Sequence, residues 1–157
     1  EQADQILIAA RTSDSEDPEQ GLTLFLVDAR APGIHYETLK IMALQPQARV
    51  TLDNVYVDSG NVVGEVDQAW SVLNPTIQVA TVVLCGYMTG LAERALDMAI
   101  NYSKERVQYE QPIGAFQAIQ NYLAAAWTKT TMGEYMAYYA AWLIDNDISM
   151  LIPVIGI

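Results

Sequence analysis

The side chains that build disulfides, metal clusters and grips on nucleic acid are scarce in this chain: one cysteine, one histidine and 8 basic residues among 157. The lone Cys85 has no partner for an intrachain disulfide, and its small, apolar neighbours make a buried, inert thiol the expected state, compatible with a reducing compartment. His35, the single histidine, cannot supply a histidine metal cluster or a histidine-based triad within one chain, and it is expected exposed on a strand. No metal site is therefore expected. With 19 acidic residues the net charge is -11, which repels phosphate backbones and anionic headgroups, so neither nucleic acid nor a membrane surface is an expected partner. There is no C-x-x-C, no G-x-x-x-x-G-K-[ST] and no G-x-G-x-x-G. The opening residues EQADQILIAARTSDSEDPEQ hold no basic segment followed by an apolar one, so no signal peptide is read and a cytoplasmic location is expected. The strand-like ILIAA arrives almost at once, as though the chain entered inside a folded unit.

Apolar material is plentiful at 52% of residues, enough for a real core. Charge and texture both change near residue 67: residues 1–67 carry 12 acids and 4 bases, net -8, whereas 68–157 carry 7 and 4, net -3. Before the change come short β-branched runs bounded by turn residues, at Gln5 to Ala10, Leu22 to Asp28, Gly33 to Leu39 and Arg49 to Val57, with a break at Asp53–Asn54 that reads as a turn or bulge. These predict an antiparallel sheet. After it, Asn74 as N-cap and Pro75 in a first turn start a helix with no further proline until Pro112, reaching about Tyr109. A second helix is predicted from near Ala115 to about Asn146, with Phe116, Ile119, Leu123 and Trp127 at spacings of three or four, joined to the first by a tight Gln111 to Gly114 connection. The fold class is thus α+β: a partial β-domain over 1–67 and a partial helical domain over 68–157.

Residues Ala69 to Ala92 carry no charge and are long enough to span a bilayer. Asn74, Pro75, Gln78 and several threonines lower the hydrophobicity, and no basic cluster flanks either end, which favours a helix buried on most sides in a bundle. Gly86 and Gly90 then let another helix approach closely.

Polar side chains concentrate where the two helices meet. Arg106 offers a planar, permanently charged fork suited to a pyrophosphate, and Gln117 adds amide donors in the first turn of the next helix, whose terminus already favours anions. Together they fit a dinucleotide's phosphates. Pairing of Arg106 with Glu105, Glu110 or a helix-end carbonyl accounts for the same residue, and chemistry alone leaves both readings open.

At these residues the chain resembles the flavin-contacting segment of acyl-CoA dehydrogenases, close to Y-x-x-x-R-x-Q-F-G-x-P-I-x-x-F-Q-x-I-Q-x-x-L-A. It stands here as Tyr102, Arg106, Gln108, Tyr109, Pro112, Ile113, Phe116, Gln117, Ile119, Gln120, Leu123 and Ala124. Upstream, ADQILIAARTS and GLTLFLVDARAPGI resemble that family's middle β-domain, and VTLDNVYVDSGNVVGEVDQAW its end and the link into the helices, so the likeness covers roughly residues 3–146. The resemblance implies a partial middle β-barrel-like domain and the first helices of a C-terminal helical bundle. It also implies FAD, typically a neighbouring subunit's, contacted by Arg106, Tyr109 and Gln117. The implied reaction is α,β-dehydrogenation of an acyl-CoA, with electrons passed to an electron-transfer flavoprotein by a homo-oligomer, dimer or tetramer.

Departures temper this. Glu110 replaces the usual glycine and sets an anion beside the proposed phosphate site; Gln78 and Thr81 stand where an arginine for the acyl-CoA is usual. The family's base lies beyond this chain's end or, in a minority, near Ala80, and no carboxylate occurs between Asp67 and Glu93. No catalytic residue is assigned. A non-catalytic subunit lending flavin contacts to a paralogous partner, and a ligand-free helical association module, are the alternatives. The tail DISMLIPVIGI departs from the family, where another amphipathic helix is usual.

Overall fold

The computed structural model describes residues 3–42 and 46–146, and the divergent tail from 147 onward lies outside them. Two compact units are present, Glu1–Asn74 and Pro75–Ile157.

The first unit is built on β2 (Leu22–Asp28), which pairs antiparallel with β1 (Gln5–Arg11) on one side and with the short β5 (Val62–Val63) on the other. The register sets Ile8 opposite Phe25 and Ala10 opposite Thr23. On β1 the half-buried Ile6, Ile8 and Ala10 alternate with exposed neighbours, the period-2 pattern of a strand with one wet face. As the central strand, β2 instead buries Thr23, Leu24 and Val27. A second antiparallel pair joins β3 (Ile34–Leu39) to β4 (Gln47–Leu52), with Glu37 and Arg49 directly opposite and their side chains 3.1 Å apart. His35 is exposed on β3, as expected. The break foreseen at Asp53–Asn54 ends β4 at Leu52, and Asn54 takes a positive φ of 50°. Gly33 opens β3 at φ 90° so close to its partner strand that a Cβ there would lie 2.1 Å from the Asp53 carbonyl oxygen.

Polar groups lock this unit to the segment entering the first helix. The wholly buried Thr23 accepts from the Asp67 backbone N–H at 2.8 Å, and its hydroxyl lies 2.6 Å from that of Thr12. The Ala69 N–H donates to the Leu22 carbonyl at 2.8 Å. Thr23→Val keeps the shape but leaves the half-buried Asp67 N–H without its acceptor, so urea denaturation should show a loss of about 1–3 kcal/mol. An unchanged midpoint would mean that the contact carries no stability.

Helix α1 spans Trp70–Glu105, five residues earlier at its start and four shorter at its end than the sequence suggested. It starts early because the Ser71, Val72 and Leu73 N–H groups already bond the Gln68 and Ala69 carbonyls. Pro75 then falls in the second turn, where it forfeits one bond. At the other end the chain forms a small hairpin of β6 (Val107–Gln108) and β7 (Gln111–Pro112), followed by a single 3-10 turn at Ile113–Ala115 and α2 (Gln117–Asp145). Tyr109 and Glu110 form the two-residue turn between the strands with φ of 53° and 65°. The expected Gln111 to Gly114 connection is therefore a strand and a 3-10 turn.

The two helices run antiparallel. Val82 near the start of α1 packs with Ala140 and Leu143 near the end of α2, flanked by Ala141 and Ile144. At the opposite end Gly114 sits where a Cβ would come within 3.1 Å of the Ser103 carbonyl oxygen, which keeps the 3-10 turn tight on α1. The expectation that Ala69 to Ala92 is buried on most sides does not hold within this chain. Val82 and Leu96 are the buried apolar residues of α1, because α2 covers a single stripe, while Val83, Leu84, Tyr87, Met88 and Leu91 are exposed. Cys85 is half-buried rather than fully buried for the same reason. Gly86 and Gly90 admit no close neighbour: nothing lies within 4 Å of a Cβ at either, and both line a cleft of about 250 Å3 with Thr89, Glu93, Glu134, Ala137 and Tyr138. By length and composition alone α1 is the one described helix able to cross a bilayer.

Candidate functional site

The end of α1, the β6–β7 hairpin and the start of α2 bring the three residues expected to contact a cofactor, Arg106, Tyr109 and Gln117, onto one corner of the helical unit. Arg106 is the first residue after α1: its N–H still closes a helical bond to the Tyr102 carbonyl at 2.9 Å, and its carbonyl accepts from the Ile113 N–H at 2.8 Å. The backbone is therefore held from both sides while the side chain is exposed. Among the described residues the guanidinium makes no ion pair with Glu105 or Glu110; the ion pairs present are Arg30–Asp4 at 3.5 Å and Arg49–Glu37 at 3.1 Å, both in the β unit. The pairing that competed with a ligand role is thus not formed.

Tyr109 projects from the hairpin tip, 88% exposed, with its ring set edge-on to Phe116 at a centroid separation of 6.2 Å and an interplanar angle of 86°. Phe116, half-buried, is the residue immediately before α2 and supplies no side-chain cap. The first helical bond runs from the Gln120 N–H to the Phe116 carbonyl, and the Gln120 side-chain amide donates to the Gly114 carbonyl at 3.0 Å. Gln117 is the first residue of α2 and exposed, and no acid lies in that first turn. An uncapped helix N-terminus, an amide and an unpaired guanidinium make a donor set that suits a pyrophosphate. Glu110, like Glu105 at the end of α1, opposes an anion at this corner.

The hairpin itself was not foreseen. Its signal would have been a residue pair at ease with positive φ, such as Asn-Gly, and the chain has Tyr109–Glu110 instead. Along α1, the Thr81 hydroxyl donates to the Ile77 carbonyl of its own helix at 2.7 Å, and Ala80 has no titratable group.

A family model for the acyl-CoA dehydrogenase C-terminal domain matches residues 67–154. Among curated relatives, the 3-(aryl)acrylate reductase of Clostridium sporogenes is 32% identical over 146 residues, covering 91% of this chain and 38% of that protein. The caffeyl-CoA reductase-Etf complex subunit CarC of Acetobacterium woodii is 33% identical over 146 residues, with 91% and 38% covered. Among solved structures, glutaryl-coenzyme A dehydrogenase in complex with glutaryl-CoA superposes with a TM-score of 0.85 at 28% identity, over 99% of this chain and 42% of that one. The chain thus spans about two fifths of the length of the proteins it matches. With the model match over more than half of its residues, and with the sheets and paired long helices described above, the chain belongs to the acyl-CoA dehydrogenase family.

Proposed function

We propose that this chain is part of an FAD-dependent acyl-CoA dehydrogenase in which Arg106, Tyr109 and Gln117 hold the flavin dinucleotide bound mainly by a neighbouring subunit. The observation that carries the reading is the exposed, unpaired Arg106 guanidinium beside the uncapped start of α2. Arg106 binds phosphate oxygens by its bidentate fork, Gln117 and the first N–H groups of α2 add neutral donors, and Tyr109 packs its ring against the cofactor. The flavin supplies the hydride acceptor for the substrate β-carbon. A carboxylate must take the α-proton, and neither α1 nor the hairpin offers one near Ala80, so the base is assigned to no residue described here. Acyl-CoA as substrate, an electron-transfer flavoprotein as acceptor, a cytoplasmic setting in fatty-acid β-oxidation and assembly as a homo-oligomer, dimer or tetramer, complete the proposal. The exposed Val83, Leu84, Tyr87, Met88 and Leu91 on α1 provide apolar surface for that assembly.

The test is to purify the intact protein, record flavin absorbance, and assay a panel of acyl-CoA thioesters with an electron acceptor. The assay runs in both directions, since two relatives are named as reductases. A yellow protein active on at least one thioester is expected; a colourless protein inert to all of them contradicts the reading. A second reading, a non-catalytic subunit lending Arg106 and Gln117 to a paralogous partner, draws on the absence of a carboxylate between Asp67 and Glu93 and on Glu110. Activity of the intact protein as a homo-oligomer excludes it.

A further inference from the structure

We infer that Glu110 sets a ceiling on how tightly this corner holds a phosphate-bearing cofactor, an inference that rests on the Arg106 reading and deepens it. The observation is a charged side chain kept at a costly backbone position. Glu110 is the second residue of a two-residue turn at φ 65°, where glycine sits without strain and an L-residue costs roughly 1–2 kcal/mol. Glutamate has no local hydrogen bond here to offset that, unlike asparagine or aspartate in such turns.

The register shows what the carboxylate acts on. Val107 lies opposite Pro112 and Gln108 opposite Gln111, and the next backbone bond joins Ile113 to Arg106. Arg106 and Glu110 thus sit at the two ends of one short hairpin, separated along the strand by on the order of 10 Å. That matches the Debye length of about 8–10 Å near physiological salt and is far inside the roughly 30 Å of dilute buffer. Lys104, Glu105, Arg106 and Glu110 are all exposed and sum to zero formal charge, whereas the same corner without Glu110 would carry one net positive charge. A pyrophosphate approaching Arg106 meets a neutral corner instead of a cationic one. By Coulomb repulsion in water at this distance, one unit charge acting on a doubly charged ligand is worth roughly threefold to fivefold in affinity. The structural consequence is a cofactor held more loosely, and less salt-sensitively, than Arg106 and Gln117 alone would hold it.

The experiment titrates FAD and, as a phosphate-free probe, riboflavin into the flavin-stripped intact protein at 10 mM and 500 mM salt. Wild type, Glu110→Gln, Glu110→Gly and Arg106→Ala are compared, with melting temperatures alongside. Both Glu110 variants are expected to tighten FAD by the same threefold to fivefold at low salt, to lose the gain at high salt, and to leave riboflavin unchanged; Glu110→Gly alone should also raise the melting temperature. If Arg106→Ala weakens FAD but Glu110→Gln leaves it unaltered at low salt, the corner binds phosphate and the role of Glu110 is overturned. If Glu110→Gly tightens FAD and Glu110→Gln does not, strain rather than charge is responsible and the inference fails. If Arg106→Ala is silent as well, the Arg106 reading falls and takes this inference with it.

Discussion

Arg106→Ala is expected to weaken FAD binding by the intact protein roughly tenfold to a hundredfold, the equivalent of about 1.5–3 kcal/mol for hydrogen bonds to a charged group. The side chain is exposed and free of carboxylate partners, so its removal orphans no buried charge and should leave the melting temperature of the flavin-free protein within about 1 °C. That separation of effects distinguishes a ligand contact from a structural one. Arg106→Lys should recover only part of the loss, because an ammonium is a point charge without the planar fork. Thermal melts and flavin titrations on the same samples check both halves. A large stability loss with unchanged flavin affinity would assign Arg106 to the fold.

The largest stability effect should come from the β unit. Leu24→Ala removes a side chain that is 2% exposed on the central strand, between β1 and β5, and should cost about 2–5 kcal/mol by urea denaturation. The spread reflects how far the sheet can collapse into the void. Leu7→Ala on the neighbouring strand, where Leu7 is 55% exposed and faces away from the half-buried Ile6 and Ile8, should cost well under 1 kcal/mol. Equal losses at the two positions would show that the described core is not the one that stabilises the unit.

Strands were legible wherever local composition and tertiary context agreed. Leu22 to Asp28 matches β2 residue for residue because β-branched and aromatic residues are bounded there by Gly21 and by the Asp28–Ala31 turn. The Asp53–Asn54 break was equally readable, since asparagine tolerates the positive φ it adopts. The boundaries of α1 were not. Its start is decided by carbonyls of Gln68 and Ala69 held against β2, a tertiary contact with no local signature, and proline in a second turn looks in sequence like proline in a first. Its end was hidden because Tyr109 and Glu110 carry no turn signal while adopting turn backbone. At the candidate site, the resemblance singled out Arg106 and Gln117 in the sequence, whereas the freedom of Arg106 from Glu105 and Glu110 needed the geometry.

Burial was the least readable property. An uncharged run such as Ala69 to Ala92 fits a helix enclosed by neighbours, and within this chain a single neighbour, α2, supplies one buried stripe through Val82. The exposed aromatic and aliphatic residues on both helices, Tyr87 and Leu91 on α1 and Trp127 and Tyr138 on α2 among them, are the surface on which the proposed oligomer would close.

The most direct test of the Arg106 corner is a crystal structure of the intact protein with FAD bound. The expected result is the Arg106 guanidinium at about 2.7–2.9 Å from pyrophosphate oxygens of a flavin held by an adjacent subunit, with the Gln117 amide beside it. A flavin seated elsewhere, with Arg106 turned to solvent or paired with a carboxylate, would contradict it.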